Sequence, residues 1–533
     1  MNLIDRLQQL NAIGIALSSE ADPERLIEQI LLGAKELTGA DAGTVYQMAE
    51  DGRSLTFQII RNDTLGLAMG GSSRLPITFP PVPLYRADGS PNHASVVAHA
   101  VLSRSTVNIA DAYRAEGFDF SGTRTFDERT GYRSVSFLAV PMENHEGEII
   151  GVLQLINARD DSGQVVPFAV ADQKLAESLA SQAATALTKH ELIGGMRALF
   201  EAFIKLIATA IDEKSPYTGG HCRRVPELTM LLAEAAAQAA HGPLADFQMS
   251  DADRYELKIA AWLHDCGKVT TPEWVIDKAT KLSAITDRIE IIATRFAAAK
   301  AQAEVIYCRG LLAGGDARAL KASYTIVVTE LTEALEFLRR MNTGAEYMQP
   351  EHQQQVRDLG QRTWIGPDDE IQPLLTSDEV RHLTIAKGTL TEDERKIINH
   401  HIVATIRMLE SLPYPKHLRR VPEFAGGHHE RMDGRGYPKG LTRDQMSVQA
   451  RVMGIADIFE ALTARDRPYK KAYTLSQALT ILGKMKLDGH IDPDLFDIFI
   501  ASRVWLTYAE RFLDAEQLDE VVVENLPGYA TLR

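Results

Sequence analysis

Near residue 168 the hydrophobic period of the chain changes from that of strands to that of helices, and this change constrains the fold more than any other feature. Before it, short apolar runs such as "LTFQII", "SVSFLAVPM" and "EIIGVLQLINA" are separated by Gly, Asn and Asp turns, a pattern typical of strands in one largely antiparallel sheet. After it, the period is helical for about 45 residues. We therefore predict an α+β protein of several domains: an N-terminal antiparallel-sheet domain, a connecting helix and a C-terminal all-α domain.

Turn and capping signals place the domain boundaries. The predicted segments are an N-terminal helix over 1–22, the sheet domain over 23–188, the connecting helix over 189–212, the all-α domain over 213–500 and a helical tail over 501–533. Asp22 and Pro23 begin the second helix, since Asp is a good N-cap and Pro suits the first turn, and Gly39 ends it. Two long amphipathic patterns around "LLAGGDAR" indicate a helical insertion over about 283–385.

Charge and composition exclude several functions. The formal net charge of -15 at pH 7 disfavours binding to DNA, whose phosphates must be neutralised by Lys and Arg. No run approaches the roughly 18 apolar residues of a membrane span, and the N-terminal residues lack the basic start and apolar core of a secretory signal. We therefore expect a cytoplasmic protein without membrane insertion. Three scattered cysteines do not form a disulfide framework.

Histidine and aspartate recur in five short motifs that are far apart in the chain. The motifs are "TGGHCRRV" with His221, "WLHDCGKV" with His264 and Asp265, "INHHIV" with His400 and His401, "AGGHHERMDG" with His428 and His429, and "GIADIFEAL" with Asp457. Imidazole and carboxylate ligands suit Fe, Mn, Ni or Zn. A single histidine is more often structural, but so many in one core would need partners. We predict that several helices bring them together in a two-metal cluster.

The order of these motifs, with the literal strings "HDCGK" and "HHERMDGRGYP", resembles the HD-GYP phosphodiesterases, a bacterial branch of the HD-domain phosphohydrolases, over about residues 215–500. The resemblance implies an all-α domain that hydrolyses cyclic di-GMP at a centre of two or three metal ions, usually iron or manganese. It also implies two ligand sets that share a bridging aspartate: His221, His264, Asp265 and Asp457 for one ion, and Asp265, His401, His428 and His429 for the other.

Two features differ from the family pattern. More than a hundred residues separate the second motif from the third, where the family has a short connection, so His400 remains an alternative to His401. We favour His401 because Thr405, four places later, matches a small residue of the family pattern. Some three-metal members carry a Glu four residues before the first His, where this chain has Tyr217. We therefore expect two divalent ions, Fe or Mn first, with Ni, Zn or Mg as alternatives.

Candidate catalytic and substrate-binding residues lie beside the ligand motifs. Lys268 follows His264 by one helical turn, which places it within reach of a phosphate oxygen. Lys268 and the bridging Asp265 are the predicted catalytic residues. In the resembled family, the residues that correspond to Arg467 and Lys470 contact the phosphates of the cyclic dinucleotide. The alternative for Lys268 is an ordinary surface lysine. The alternative for Arg467 and Lys470 is a solvated basic turn.

The turn "MDGRGYP" shapes the predicted substrate site. Its glycines permit positive φ and Pro438 fixes φ, so the turn can hold Tyr437 where its ring stacks on guanine. A metal-bound His usually donates its other N–H to a carboxylate or carbonyl. Glu430 and Asp433 are therefore predicted to support the histidine ligands rather than to bind metal.

The front half resembles GAF domains, especially those of cyclic-nucleotide phosphodiesterases, over about residues 23–188. The resemblance rests on "FDERTGYRSVSFLAVPMENHEGEIIGVLQLINARD" followed by "FAVADQ". Of the Asn-Lys/Arg-Phe-Asp-Glu signature in those relatives, this chain matches all but the last position, with Asn157, Arg159, Phe168, Asp172 and then Gln173. A GAF domain implies a small-molecule or cyclic-nucleotide sensor or a structural coupler. Parallel packing of the connecting helix from two copies would form a homodimer.

These features together predict a metal-dependent phosphodiesterase that hydrolyses cyclic di-GMP to pGpG, GMP or both under the control of its GAF domain. Two alternatives remain open. One is a slow or inactive receptor that binds cyclic di-GMP and signals through partners. The other is a metallophosphohydrolase for another nucleotide. In both of the hydrolytic functions a metal-activated water is the nucleophile, so no side-chain nucleophile is required.

Overall fold

The computed structural model describes residues 3–20, 22–214, 220–344, 347–465 and 472–529. Contacts divide the chain into two compact units, Met1–Leu199 and Phe200–Arg533. The first contains an antiparallel sheet and the second is mostly helical, which confirms the predicted fold class. Within the described ranges, every helix is too short or too polar to cross a bilayer.

One antiparallel sheet forms the centre of the first unit. Its eight strands, in chain order, are β1 (Ala40–Met48), β2 (Ser54–Asn62), β3 (Leu67–Gly70), β4 (Val82–Pro83), β5 (Val107–Ile109), β6 (Phe137–Glu143), β7 (Ile149–Arg159) and β8 (Val165–Val166). The spatial order is β3-β2-β1-β7-β6-β5, with β4 beside β2 and β8 beside β7. Ala40 lies opposite Ala158 and Gln47 opposite Gly151, so β1 and β7 are neighbours at the centre of the sheet.

Helices cover both faces of this sheet. They are α1 (Leu3–Ser19), α2 (Pro23–Thr38), α3 (Val96–Ser103), α4 (Ser121–Thr130) and the long α5 (Val170–Lys214). The Asp22 side chain caps α2 by accepting from two backbone amides, and Gly39, at φ 63°, ends it, so both predicted boundaries are confirmed. One buried cluster joins α1, α2 and α5 to the sheet, and another joins α3 to the opposite face.

The second unit is helical around one large core. Its helices are α6 (His221–Ala237), α7 (Asp251–Leu263), α8 (Glu273–Ile276), α9 (Ile289–Leu312), α10 (Ala317–Asn342), α11 (Pro350–Gly360), α12 (Ser377–Leu383), α13 (Glu392–Glu410), α14 (Val421–Gly426), α15 (Val448–Thr463), α16 (Leu475–Leu487), α17 (Pro493–Ala501) and α18 (Val504–Phe512). The core is formed by apolar residues of α6, α7 and α14 to α18, together with the end of α5.

The insertion has a buried cluster of its own. Helices α9 and α10 form the hairpin predicted on either side of the Gly-rich stretch, and they pack with α11 and α12 around this cluster. Two short strands, β9 (Thr363–Ile365) and β10 (Ile371–Pro373), pair between α11 and α12. These strands were not predicted from the sequence, because each has three residues, which is too short to show a period of two.

Candidate metal centre

The predicted ligands lie on five separate elements of the second unit. Their positions are His221 at the first residue of α6, His264 and Asp265 directly after α7, His401 within α13, His428 and His429 shortly after α14, and Asp457 within α15. Helix α15 packs on α6, α14 packs on α7, and α13 packs on the turn after α7. Packing of the core therefore brings the five elements to one place.

Two overlapping groups of ligand atoms result. They consist of His221, His264, Asp265 and Asp457, and of Asp265, His401, His428 and His429. Within each group, one ligand atom from every residue lies within 4.8 Å of the others. The groups have the same members as the two ligand sets implied by the family resemblance, and we propose them as two metal sites.

Asp265 lies between the two groups. Its Oδ2 is 3.2 Å from Nε2 of His221 and 3.2 Å from Nε2 of His264. Its Oδ1 is 3.3 Å from Nε2 of His401. The two carboxylate oxygens therefore face different groups, which is the arrangement that a bridge between two ions requires.

Backbone contacts determine which ring nitrogen faces the cluster. Nδ1 of His264 donates to the carbonyl three residues earlier at 2.7 Å, and Nδ1 of His428 does the same at 2.6 Å. His401 makes the corresponding contact. A carbonyl oxygen can only accept, so each Nδ1 carries the proton and each Nε2 keeps a lone pair that can bind a metal ion.

The buried polar atoms of the cluster that lack a hydrogen-bond partner fit a pair of divalent ions. Asp265 Oδ1 and His428 Nε2 are buried, and neither has a hydrogen-bond partner within the part of the chain that the structure describes. Nε2 of His429 lies 3.2 Å from Nε2 of His401. Buried acceptors without a donor are rare in folded proteins, and a cation between these lone pairs would satisfy them.

Electrostatics favour the protonation states that metal binding needs. Burial, assisted by His264, lowers the pKa of His428 to about 4. Burial beside His428 also holds the pKa of His429 well below its usual range. Burial alone would raise the pKa of Asp265, but Lys268 and His264 hold it well below the ordinary value. The imidazoles of His428 and His429 are thus neutral and the carboxylate of Asp265 is ionised, as metal ligands must be.

A glutamate that the sequence analysis missed orients the first ligand. Oε2 of Glu460 lies 2.5 Å from Nδ1 of His221, and its Oε1 accepts a hydrogen bond from Nε of Arg224 at 2.6 Å. Glu460 follows Asp457 by three positions on α15, so both side chains lie on the same face of the helix. This spacing in "ADIFEAL" was the signal from which Glu460 could have been predicted.

Close backbone packing positions α13 against the turn after Asp265. The amide of Gly267 donates to Oγ1 of Thr405 at 2.9 Å. A Cβ at residue 267 would lie 2.0 Å from the carbonyl oxygen of His401, so the contact requires glycine. The same packing places the His401 ring in the cluster, whereas His400 is exposed.

Lys268 also contacts the central aspartate. Its Nζ lies 2.5 Å from Oδ2 of Asp265. The residue belongs to a 3-10 turn over Cys266–Thr270 and not to a continuation of α7. The prediction that it shares a helical face with His264 is therefore wrong, because the helix ends before this residue, but its side chain reaches the same cluster.

The carboxylates of the "MDGRGYP" region stabilise the turn itself. Glu430 accepts hydrogen bonds from two backbone amides of the turn, at 2.7 and 2.9 Å. Asp433 pairs with two arginines of the turn, at 2.8 and 2.9 Å. Within the described ranges neither carboxylate hydrogen-bonds to a histidine, so the predicted support of the ligand rings by Glu430 and Asp433 is wrong. Backbone carbonyls and Glu460 take that role.

Tyr437 stacks on a candidate ligand. Its ring centroid is 4.9 Å from that of His429, with the two planes at 22°. Stacking on guanine, as predicted, would use the opposite face of the tyrosine ring. The predicted phosphate contacts, Arg467 and Lys470, lie outside the described residues.

The sheet unit contains a cavity of about 400 Å³. Aromatic rings line much of it, including those of Tyr46, Phe57 and Phe79. The Tyr46 hydroxyl donates to Oε1 of Gln154 at 2.9 Å, which places polar atoms on one wall. The cavity is large enough for a small aromatic ligand.

The signature residues of the front half do not line this cavity and make structural contacts elsewhere in the sheet unit. Asn157 accepts a hydrogen bond from the amide of Val135 at 2.7 Å, Arg159 pairs with Asp41 at 2.8 Å, and Phe168 is buried in the core. Among the described residues that line the cavity, none is a signature residue: Asn157, Arg159, Phe168, Asp172 and Gln173 all lie elsewhere. The signature therefore does not indicate which ligand the cavity binds.

Comparison with known families identifies two domains. Residues 22–187 match the GAF domain family, and residues 376–495 match the HD domain family. The HD match begins after most of the insertion, so it includes the third, fourth and fifth ligand motifs and leaves out the first two. The insertion thus separates the two parts of the candidate metal centre along the chain.

Curated relatives carry the names of cyclic-dinucleotide phosphodiesterases. 3'3'-cGAMP-specific phosphodiesterase 3 of Vibrio cholerae is 26% identical over 302 residues, 56% of this chain and 39% of the relative. Cyclic di-GMP phosphodiesterase PA4108 of Pseudomonas aeruginosa is 36% identical over 113 residues, 21% of this chain and 26% of the relative. 3'3'-cGAMP-specific phosphodiesterase 1 of Vibrio cholerae is 34% identical over 131 residues, 25% of this chain and 29% of the relative. The matched stretches thus span well under half of these relatives.

Proposed function

We propose that this chain, which contains a GAF domain and an HD domain, is a metal-dependent phosphodiesterase that hydrolyses a cyclic dinucleotide. The observation that carries the proposal is the pair of ligand groups that share Asp265. When bound, two divalent ions would supply a water of lowered pKa and neutralise charge that develops on the phosphodiester. The names of the curated relatives support the same reaction class.

The chain's own residues prepare the site for these ions. Asp265 directs one oxygen to each group, and His264 and His428 direct their unprotonated Nε2 atoms to the centre. All three side chains are almost completely buried. Because bulk water is excluded, charges and lone pairs held in fixed positions act strongly on a bound phosphodiester.

Lys268 is the proposed contact for a phosphate oxygen. Burial would lower the pKa of its ammonium, but Asp265 and Asp457 raise it above the ordinary value, so the side chain is positively charged at neutral pH. Its Nζ adjoins the shared aspartate. A cation at this position can donate to an anionic substrate that lies against the metal pair.

The ligand chemistry favours iron or manganese over metals that prefer sulfur. Both groups present imidazole nitrogens and carboxylate oxygens. Two cysteines lie beside the ligands in sequence, but burial raises the pKa of Cys266 to about 11 and also raises that of Cys222. Both thiols therefore stay protonated at neutral pH, and the proposed cofactor is a pair of Fe or Mn ions.

Cyclic di-GMP is the proposed substrate, with pGpG, GMP or both as products. Tyr437 would stack on a guanine base, and Arg467 and Lys470 would contact the phosphates, as the family resemblance implies. Since relatives are named for cyclic di-GMP and for 3'3'-cGAMP, both dinucleotides belong in the assay. The proposed role of the GAF domain is control of this activity by a small ligand in its aromatic cavity.

Anaerobic purification, metal analysis and chromatography of the reaction products test the proposed function. We expect two ions per chain and hydrolysis of at least one of the two dinucleotides. Asp265→Asn removes the shared ligand and abolishes both metal retention and turnover, whereas Asp246→Asn, at an exposed aspartate, changes neither. Turnover by Asp265→Asn at the wild-type rate would refute the proposed centre. Metal and dinucleotide binding without product would favour the receptor function.

A further inference from the structure

The last turn of α5 contacts two segments that carry candidate metal ligands. Asp212 contacts the start of α6, whose first residue is His221. Lys214 contacts the 3-10 turn that follows Asp265. Asp212 and Lys214 are two positions apart, so their side chains point about 200° apart around the helix axis. One helix end can therefore reach a different segment on each side.

The carboxylate of Asp212 caps α6 from outside that helix. One of its oxygens accepts a hydrogen bond from the amide of Gly220 at 3.1 Å, and the other accepts from the amide of Cys222 at 3.4 Å. Gly220 is the N-cap residue of α6, at φ 88°, and it has no side chain with which to cap the helix. Amides in the first turn of a helix lack partners within the helix, and a negative charge is favourable beside them. Asp212 thus supplies the cap that the glycine cannot.

The ammonium of Lys214 caps the carbonyl end of the 3-10 turn. It donates to the carbonyl of Lys268 at 3.3 Å, to that of Val269, and to that of Thr271 at 2.7 Å. An ammonium has three donors, so these three contacts use its full donor capacity. The last carbonyls of a helical turn lack partners within the turn and attract a cation. Lys214 therefore holds the far end of the turn that begins after Asp265.

The two capped segments differ in the ligands that they carry. His221 belongs to the first ligand group only, whereas Asp265 belongs to both groups. A metal site requires its ligand atoms to lie within about 0.2 Å of their ideal distances. Movement of the start of α6 would therefore disturb one metal site, and movement of the 3-10 turn would disturb both.

We propose that Asp212 and Lys214 are positioning residues of the candidate metal centre: Asp212 fixes the start of α6 with His221, and Lys214 fixes the turn that carries Asp265 and Lys268. The inference rests on the proposed function, because it concerns the same two metal sites. It goes further by assigning the position of two ligands to the end of α5. Loss of the Asp212 contact weakens the binding of one ion, whereas loss of the Lys214 contact weakens the binding of both.

Titration of the full chain with Mn²⁺, after its metal has been removed with a chelator, tests the proposal. We expect Asp212→Ala to bind one ion about 10–100-fold more weakly, the range for residues that support a metal ligand, and Lys214→Met to bind both ions more weakly. Asp212→Asn keeps an acceptor oxygen and Lys214→Arg keeps a cationic donor, so each restores most of the affinity. The controls Glu213→Ala and Lys205→Met, at exposed residues of the same helix, bind both ions as the wild type does.

The difference between the two variants separates positioning from a general loss of stability. Wild-type affinity in Asp212→Ala and Lys214→Met, or the same loss of both ions in the two variants, overturns the proposal. A wild type that binds no ion overturns both this inference and the proposed function. A wild type that binds two ions but hydrolyses neither dinucleotide refutes the proposed reaction alone, since the titration uses no substrate.

Hydrogen exchange, read by mass spectrometry, locates each effect in the chain. It is measured on the full chain with a chelator present, so that loss of metal does not contribute. Asp212→Ala is expected to speed exchange in peptides over 220–225 and not over 266–271, and Lys214→Met is expected to do the reverse. Circular dichroism checks that each variant is folded. Faster exchange of both segments in each variant, or of neither segment, overturns the assignment of one contact to each segment.

Discussion

Glu460 and His221 are 239 residues apart in the chain, yet Oε2 of the glutamate lies 2.5 Å from Nδ1 of the histidine. Burial would lower the pKa of His221, but Glu460 raises it well above the ordinary value, so the carboxylate interacts strongly with this ring. A carboxylate that accepts from the far nitrogen of a ligand histidine fixes the ring and makes it a better donor to the metal.

Replacement Glu460→Gln is therefore expected to weaken metal binding about 10–100-fold while the protein stays folded. Competition with a chelator, followed by metal analysis, measures the affinity. Glu410→Gln, at an exposed glutamate on α13, is the matched control and leaves the affinity unchanged. Equal affinities of Glu460→Gln and wild type would contradict the positioning role.

The adjacent histidines His400 and His401 on α13 can be compared directly to decide which of them binds metal. His401 is buried in the cluster and His400 is exposed. His401→Ala is expected to lose one bound ion and to reduce turnover by more than the roughly 100-fold that supporting residues cost. His400→Ala is expected to keep the bound ions and the wild-type turnover. Metal content and the initial rate decide between them, and a larger loss in His400→Ala would reassign the ligand.

Local sequence signals were sufficient to predict the helices whose bounds depend on residues nearby in the chain. The 45-residue α5 follows from its unbroken helical period, and α2 begins and ends where Asp22 and Gly39 predict. The candidate ligands could be selected by residue type and motif order. Their convergence was expected because so many imidazoles in one core need partners, but only the family resemblance divided them into two sets. No local pattern in the sequence states which helices pack together.

Contacts between distant segments explain what the sequence analysis missed. Glu460 was not among the residues selected from the sequence, yet packing places its carboxylate on His221. Glu430 looked like support for a histidine, but it accepts from amides of its own turn. The conformation of that turn, and not the spacing of charges, decides which donor each carboxylate meets.

Gly267 provides a test of the packing that positions His401. A Cβ there would lie 2.0 Å from the His401 carbonyl oxygen and 2.5 Å from the Thr405 amide nitrogen. Both are backbone atoms of α13, so they cannot move aside alone. Gly267→Ala is expected to destabilise the protein by about 3 kcal/mol, the upper end for overpacking, and to reduce metal content by displacing α13.

Urea unfolding, with metal content measured in parallel, checks this prediction. Gly194→Ala is the control, since a Cβ at that position of α5 meets no atom within 4 Å. In a helix interior this replacement is expected to stabilise by about 0.5–1 kcal/mol. If Gly267→Ala unfolds at the wild-type urea concentration and keeps its metal, α13 is not held by the contact described here.

Lys281 contacts the insertion and makes the stability of the protein depend on pH. Its side chain is 2% exposed, and its ammonium donates to the Leu383 carbonyl at 3.1 Å and contacts the Met348 sulfur at 3.4 Å. Burial lowers the pKa of Lys281 from 10.5 to about 8. Between these two values the unfolded chain binds more protons than the folded one, so this residue makes the free energy of unfolding rise with pH.

Lys281→Met removes the buried charge and its titration. The variant is expected to be more stable than wild type below pH 8, where the folded protein carries the charge, and this advantage shrinks as pH rises from 8 towards 10.5 because wild-type Lys281 becomes neutral in the folded state. Urea unfolding across this range measures the difference between the two proteins. Lys321→Met, at an exposed lysine of α10, is the matched control. A Lys281→Met difference that stays constant across this range would show that the buried ammonium does not titrate in this window.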